Sequence, residues 1–196
     1  MKLDAVIVGV GGQGTLLASR VLGALAGVLG DPVRLSEVHG MSQRGGSVVT
    51  YARIGEGAAS SVVEEGCADV VLSFELLEAL RALPYLKRQG IMLVNTQKIP
   101  PMSVVSGAAE YPADALKSLE GACDTVSVDA LALAEQAGEP RAVNLALLGV
   151  LCRLVGGDPA AWREAVRLSV PERLLEVNLE AFDLGYNAQV RRSERP

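Results

Sequence analysis

The N-terminal segment LDAVIVGVGGQG, residues 3–14, decides the fold class of this chain. Leu3–Val10 is a short apolar run, typical of a strand that is buried on both faces, and Gly9–Gly14 is a glycine-rich loop. Apolar residues then recur at helical spacing from Thr15 to Leu29, where a Gly-Asp-Pro turn ends the helix. A second strand is predicted over Val33–Val38. The first 38 residues therefore form a strand–helix–strand unit, whose crossover implies parallel strands.

The composition favours a sheet that is covered by helices. Of the 196 residues 49% are hydrophobic but only 4% are aromatic, so the core must be aliphatic. The net charge of −5 argues against nucleic acid as a partner, because binding to phosphates needs a basic surface. We expect one domain over residues 1–190, followed by a frayed polar tail at 191–196.

The rest of the chain continues the alternation of strands and helices. Ser47–Ile54 reads as a strand, and Ser60–Val63 is predicted to return as its antiparallel hairpin partner. The last third, from about Ala130, has helical spacing, and Pro159 and Pro171 suit first-turn positions. The predicted fold class is a three-layer α/β/α domain with a mostly parallel, Rossmann-like sheet. The buried strands predicted for that sheet are Asp69–Phe74, Gly90–Asn95 and Asp124–Val128.

The three cysteines, Cys67, Cys123 and Cys152, do not form a metal-binding or disulfide pattern. They are widely spaced and no Cys-x-x-Cys pair occurs. A zinc or iron–sulfur site within this chain is therefore not expected. The N-terminus lacks the features of a signal peptide, and no apolar run reaches membrane-spanning length. We expect a cytoplasmic protein that does not interact with membranes.

The glycine loop has the context of a phosphate-binding loop. Gly11, Gly12, Gln13 and Gly14 follow a strand and open a helix, so their backbone can approach a phosphate at the helix N-terminus. Glu37 stands near the end of the second strand, where a ribose-binding carboxylate is expected. Taken alone, the loop leaves three possibilities open: a dinucleotide, another phosphate ligand or partner, and tight strand–helix packing without a ligand.

A second unusual loop runs from His39 to Gly46. It carries the only histidine of the chain, the guanidinium of Arg44 and the pair Gly45-Gly46. Arg44 can offer a bidentate fork to a phosphate or carboxylate, and the glycines would let the backbone come close to it. Because ligands bind beyond the carboxyl ends of parallel strands, both loops are expected to face one crevice. His39 is interpreted either as a contact to a partner site or as a structural hydrogen-bonding group.

Together the two motifs, GVGGQG from Gly9 and HGMSQRGG from His39, resemble the gamma-type domain of 2-oxoacid:ferredoxin oxidoreductases. Within that family the second motif is most similar to the small subunits of the indolepyruvate type. Phe74–Leu80 and Asn144–Gly149 also match, and the resemblance covers about residues 3 to 155. Tyr51 is a departure, since the resemblance leads us to expect a histidine there.

The resemblance implies an accessory subunit of an enzyme that converts indolepyruvate, or a related aryl 2-oxoacid, to acyl-CoA. Thiamine diphosphate with Mg²⁺ and the [4Fe-4S] clusters would lie on a larger partner subunit that reduces ferredoxin, and coenzyme A would be shared. No catalytic residue or metal ligand is assigned to this chain, which is expected to be inactive alone. The crevice would bind coenzyme A or dock against the partner's cofactor pocket, and its expected residues are Gly11, Gly12, Gln13, Gly14, Glu37, Arg44, Gly45 and Gly46.

Two alternatives from other functional classes remain open. A free-standing NAD(P)-binding oxidoreductase is supported by the first glycine loop and Glu37, although no separate catalytic constellation is apparent. A non-enzymatic acyl-CoA or nucleotide-binding module would use the same crevice.

Overall fold

The computed structural model describes residues 1–39, 45–57 and 60–193. Within these residues strands and helices alternate, and three short 3₁₀ turns connect some of them. In chain order the elements are β1 (Leu3–Val10), α1 (Thr15–Leu29), β2 (Val33–His39), β3 (Ser47–Ile54), β4 (Ala68–Ser73), α2 (Leu76–Ala82), β5 (Leu86–Asn95), α3 (Met102–Val105), α4 (Ala115–Ala122), β6 (Asp124–Val128), α5 (Ala130–Gln136), α6 (Val143–Leu154), α7 (Pro159–Ser169), α8 (Leu175–Asn187) and β7 (Arg191–Ser193).

The strands form one mixed sheet in the order β2-β3-β1-β4-β5-β6-β7. The central strands β1, β4, β5 and β6 are parallel, while β3 lies antiparallel between β1 and β2, and β7 lies antiparallel to β6. The strand–helix–strand unit therefore has parallel strands, but β3 separates β1 from β2. The carboxyl ends of β1 and β2 consequently lie at the same end of the sheet. The start of β3 lies there too.

Helices cover both faces of the sheet and bury an aliphatic core on each. One core lies under α1, α5, α6, α7 and α8, and a smaller one lies under α2 and α4. The three-layer α/β/α fold is thus confirmed. None of the described helices has the length and apolarity required to cross a bilayer.

The strand that was predicted as the hairpin partner of β3 is wrong. Ser60–Val63 forms no strand, and β3 pairs with β2 instead. The segment around Val62 is held by a side chain instead, because Arg53 Nη1 donates to Val62 O at 3.3 Å.

The C-terminal tail also differs from its expected frayed state over the residues that are described. Arg191–Ser193 forms β7, whose arginines pair with two acids near β6: Arg191 with Glu120 at 3.1 Å and Arg192 with Asp124 at 2.7 Å. Residues 194–196 lie outside the described part. The sequence analysis also missed α4, whose buried stripe consists of only Ala115 and Leu119.

Candidate functional site

The two glycine segments meet at the carboxyl edge of the sheet. The antiparallel ladder of β1 and β3 runs to the pair Val10–Ser47, and the glycines continue it by one more step. Gly11 N donates to Gly46 O at 2.8 Å, and Gly45 N donates to Gly11 O at 3.3 Å. The structure thus joins two segments that are 34 residues apart in sequence into one backbone surface at the start of α1.

The first glycine loop is shaped so that only glycine fits it well. Gly12 and Gly14 have φ angles of 106° and 85°, which disfavour residues with a Cβ. A Cβ on Gly14 would also lie 2.6 Å from Asn144 Nδ2, which instead donates to Gly14 O at 3.3 Å. Asn144, at the start of α6, therefore fixes this loop from the neighbouring helix.

The N-terminus of α1 is electrostatically uncompensated. Its cap residue Gly14 provides no side-chain hydrogen bond, and its first turn contains no acidic residue. The amides of Gly12 and Gly14 find no acceptor among the described residues. Free amides and the positive end of a helix dipole together favour a bound anion, such as a phosphate or a carboxylate.

Gln13 serves the loop itself. Its Oε1 accepts from Val10 N at 2.7 Å, and its Nε2 donates to Phe74 O at 3.1 Å and to Gln97 Oε1 at 3.2 Å. The side chain thereby connects the carboxyl ends of β1, β4 and β5. At this point the helix after β1 lies on one face of the sheet and the helix after β4 lies on the other. These contacts shape the loop, and the expected role of Gln13 in ligand binding stays a prediction.

An open cleft of about 480 Å³ lies between the glycine loop and β2. This volume is in the range of cofactor sites. Glu37 is exposed on β2 and is the one charged side chain among the described lining residues. The lining residues are Gly11, Gly12, Gly14, Thr15, Leu16, Glu37 and Val48.

The position of Glu37 differs from that of the acidic residue in a dinucleotide fold. In those folds the strand that carries the acid lies next to the strand that precedes the glycine loop. Here β3 intervenes, so Glu37 lies two strand spacings from β1, about 10 Å at 4.8 Å per strand. The chain thus has the strand–loop–helix geometry of a dinucleotide fold, but its acidic residue does not lie on the strand next to β1.

A second cleft of about 310 Å³ borders the other side of the same loop. It lies between Gln97 and the start of α6, and it includes the exposed guanidinium of Arg141. Arg141 pairs with Glu139 at 3.0 Å, and this contact lowers the pKa of the Glu139 carboxyl. The sequence analysis did not identify Arg141, because its proximity to the glycine loop depends on the packing of α6.

Glu78, a buried glutamate on α2, anchors the site. Glu78 accepts from Ser47 Oγ at 2.5 Å and from Arg81 Nη1 at 2.6 Å, so it holds the chain immediately after Gly45 and Gly46. Neither Ser47 nor Glu78 was singled out in the sequence analysis. The available signal was a pair of acids, Glu75 and Glu78, within the otherwise apolar segment that follows β4.

Glu75 caps α2 and joins it to the following loop. Its Oε2 accepts from Glu78 N at 2.9 Å, and its Oε1 accepts from Ile99 N at 3.0 Å and from the Tyr111 hydroxyl. Burial and the contact with Glu75 raise the pKa of Tyr111. Glu75 is fully buried, and its carboxylate is occupied by these backbone and hydroxyl donors, so we interpret it as a structural group that fixes the carboxyl end of β4.

Tyr51, found where the resemblance leads us to expect histidine, lies away from the cleft. It packs in the core under α2, and its hydroxyl donates to Tyr85 Oη at 3.1 Å. Burial, with the contribution of Tyr85, raises the pKa of Tyr51 to about 12. This substitution therefore changes the core and leaves the lining of the cleft unaltered.

Several predicted site residues fall outside the described part of the structure. Arg44 and residues 40–43 are not described, and of His39 only the backbone is, so their roles stay predictions. Among the described residues no group of three His, Cys, Asp or Glu side chains is placed to hold a metal ion. Cys67 is exposed, whereas Cys123 and Cys152 are buried.

Replacing Gly14 by alanine is expected to destabilise the protein. The change adds a Cβ to a residue of positive φ and drives it against Asn144, so we expect a loss of about 2 kcal/mol in the free energy of unfolding. Gly12→Ala is the matched control, since its Cβ would meet nothing within 4 Å and only the backbone strain applies. Urea denaturation of both variants measures the difference, and equal losses would contradict the assigned contact.

Comparison with known proteins places this fold among oxidoreductase subunits. Residues 4–188 match the model of the pyruvate ferredoxin/flavodoxin oxidoreductase family. The chain is 45% identical over 193 residues to the indolepyruvate oxidoreductase subunit IorB of Pyrococcus horikoshii, with 95% of this chain and 96% of the relative covered. It is 44% identical over 193 residues to the IorB subunit of Thermococcus kodakarensis, with the same coverage of both chains. The crystal structure of the pyruvate oxidoreductase subunit PORC from Thermotoga maritima superposes with a TM-score of 0.73 over 98% of this chain and 99% of that one; at 24% identity this supports the fold alone.

Proposed function

The chain belongs to the pyruvate ferredoxin/flavodoxin oxidoreductase family, and on that premise we propose that it is the small accessory subunit of a 2-oxoacid:ferredoxin oxidoreductase. The observation that carries this proposal is the near full-length similarity to indolepyruvate oxidoreductase subunits. Indolepyruvate or a related aryl 2-oxoacid is the proposed substrate of the assembled enzyme. We further propose that residues 1–190 act as one domain and that the protein works in the cytoplasm.

The described residues are suited to binding and do not form a catalytic centre. Among the described lining residues of the cleft beside α1, the charged one is Glu37, and no nucleophile or titratable pair converges there. We therefore propose that thiamine diphosphate, Mg²⁺ and the [4Fe-4S] clusters are held by a larger partner subunit. When bound there, thiamine diphosphate supplies the carbanion chemistry of decarboxylation, and the clusters carry electrons to ferredoxin.

The role proposed for the present chain is to hold an anionic group next to that partner. The amides of Gly12 and Gly14, which find no acceptor among the described residues, and the N-terminus of α1 suit the diphosphate of coenzyme A. Glu37, across the cleft, would limit how far an anionic ligand extends towards β2. Arg44, in the same loop as Gly45, is proposed to bind a phosphate or a carboxylate by its guanidinium fork.

Reconstitution tests this proposal. We expect the chain to co-purify with a co-expressed larger subunit that carries the thiamine diphosphate and cluster motifs. The complex should reduce ferredoxin with a 2-oxoacid and coenzyme A, with indolepyruvate the preferred member of a panel of 2-oxoacids. Each subunit alone should show no turnover.

Two results would contradict the proposal. Turnover by the larger subunit alone at the rate of the complex would remove any accessory role. Micromolar binding of NADH or NADPH by the isolated chain, measured by calorimetry and lost in Glu37→Ala, would instead support a free-standing oxidoreductase. The displacement of Glu37 by β3 is the physical reason to expect no such binding.

A further inference from the structure

The side chain of Gln97 is held in one orientation by a series of amide hydrogen bonds. Gln13 Oε1 accepts from Val10 N, so Gln13 Nε2 is the donor in the bond to Gln97 Oε1 at 3.2 Å. Asn95 Oδ1 accepts from Ala130 N, so Asn95 Nδ2 is likewise the donor to Gln97 Oε1, at 3.4 Å. The two backbone amides at the ends of this series therefore fix which end of the Gln97 amide turns inward.

The amide nitrogen of Gln97 is consequently the polar group that this side chain offers to a ligand. Gln97 lines the cleft of about 310 Å³ beside the start of α6, which we call the Gln97 cleft. Its Nε2 finds no acceptor among the described residues, and Asn95, which holds its oxygen, is fully buried. An NH2 group supported from the core in this way is a preorganised donor, because a ligand does not have to order it.

The described lining of the Gln97 cleft offers donors and no carboxylate. Gly12 and Gly14 contribute backbone amides that have no acceptor among the described residues, and Arg141 contributes its guanidinium. Glu139 accepts from Nε and Nη2 of Arg141, whereas Nη1 has no acceptor within the described part of the chain. Three further lining residues are apolar: Leu131, Pro140 and Val143. A ligand that suits this lining combines an anionic oxygen group with an apolar part.

Two helices begin at this cleft. α1 starts after Gly14 and α6 starts at Val143, and neither has an acidic residue in its first turn or a capping side chain at its N-cap residue. The positive ends of both helix dipoles therefore act on the same space. The described lining of the cleft on the β2 side of the glycine loop contains the start of α1 and the carboxylate of Glu37. An anion is consequently favoured in the Gln97 cleft and disfavoured beside Glu37.

We propose that the Gln97 cleft holds the diphosphate of coenzyme A. Gln97 Nε2 and Arg141 Nη1 complete an oxyanion site, and the amides of the glycine loop form its backbone part. The apolar side of the cleft contacts the organic part of the same ligand. The proposal rests on the accessory role, which supplies the ligand. It adds Gln97 as a binding residue and assigns the side of the glycine loop on which the diphosphate lies.

Two-dimensional NMR of the full-length chain, titrated with inorganic pyrophosphate and with coenzyme A, tests the assignment. The side-chain NH2 group of Gln97 gives its own pair of signals. We expect these signals and the backbone amides of Gly12 and Gly14 to shift with both probes. Pyrophosphate reports on the anion site itself, and coenzyme A reports on whether the whole ester fits the cleft.

Gln97→Glu is the decisive variant. The glutamate keeps one oxygen to accept from Gln13 and Asn95, and it replaces the donor by a second, negatively charged oxygen. We expect the dissociation constants of both probes to rise about tenfold or more. Arg141→Gln should weaken binding in the same direction, and because Arg141 is exposed, this variant keeps the test valid should Gln97→Glu unfold. Arg173→Gln is the matched control, since Arg173 lines a neighbouring cleft and not this one.

Several results would overturn the proposal. These are wild-type affinity in both Gln97→Glu and Arg141→Gln, or no shift with either probe at about 10 mM. Shifts with pyrophosphate but not with coenzyme A would show an anion site that the ester cannot enter. Tighter binding by Glu37→Gln, with wild-type binding by Gln97→Glu, would put the anion in the cleft beside β2. Failure of the accessory role is a separate result, because it would abolish turnover in the reconstitution assay and leave the pyrophosphate titration unchanged.

Discussion

Gly149→Ala is expected to prevent the chain from folding, or to lower its melting temperature well below that of the wild type. Gly149 lies where α6 and α8 cross, and a Cβ there would press on Phe182 O and lie 2.6 Å from Tyr186 N. Gly185 on α8 faces the same crossing, where its own Cβ would lie 2.7 Å from the carbonyl carbon of Ala146. Since the atoms in the way belong to backbone, no rotamer change relieves the contact.

The expected cost is roughly 3 kcal/mol or more, against a total stability of about 5–15 kcal/mol for a typical domain. The helices would have to move apart, and the core that α6 shares with β1 and α1 would open. The free energy of unfolding from urea denaturation, or the yield of soluble protein, measures the effect.

Gly27→Ala and Gly121→Ala provide the control for helix propensity. Both glycines are helical and would place a Cβ in open space, so alanine should stabilise the protein by about 0.5–1 kcal/mol. The same substitution, glycine to alanine, is thus expected to lower the free energy of unfolding at Gly149 and to raise it at Gly27 and Gly121. Wild-type stability of Gly149→Ala would mean that α6 and α8 are not in backbone contact.

Arg44→Ala is expected to lower the activity of the reconstituted complex about ten- to a hundredfold. Loss of one charge-assisted, bidentate contact costs about 1.5–3 kcal/mol, which corresponds to that range. Arg44→Lys should also be impaired, though less, because lysine presents a point charge in place of a planar fork. The argument depends on the neighbours of Arg44, since Gly45 and Gly46 are hydrogen-bonded to Gly11 beside the amides of Gly12 and Gly14.

Steady-state kinetics separate the two roles proposed for Arg44. If Arg44 binds coenzyme A, the KM for coenzyme A should rise while decarboxylation is spared; if it supports the partner's thiamine site, decarboxylation should fall as well. Arg88→Ala is a suitable control, because Arg88 is an exposed arginine near the start of β5, at the end of the sheet opposite to the glycine loops. Wild-type kinetics of Arg44→Ala in both half-reactions would reduce the second glycine loop to a structural element.

Much of the fold was determined by local sequence patterns. The apolar run of β1, the glycine loop and the helical spacing of α1 were predicted with the bounds that the structure gives. These elements depend on burial on both faces and on backbone conformations near in sequence, which periodicity and glycine positions report directly. The family resemblance likewise rested on two local motifs, and the comparisons confirm it.

Tertiary structure alone decided how those elements are arranged. The insertion of β3 between β1 and β2 moved Glu37 away from the position expected in a dinucleotide fold, and no local pattern encodes which strands become neighbours. The tie between Ser47 and Glu78 joins residues 31 apart, and that between Gly14 and Asn144 joins residues 130 apart.

The segment Asn144–Gly149 illustrates the difference. From sequence it was a motif that matched a family, without a physical reason. In the fold its first residue holds the glycine loop, and its last lets α8 approach α6 at backbone contact distance. The sequence by itself determined which local elements form, because propensity and patterning act over a few residues. Which polar groups meet, and where glycine is required, depended on packing between distant elements, and only the tertiary structure decided it.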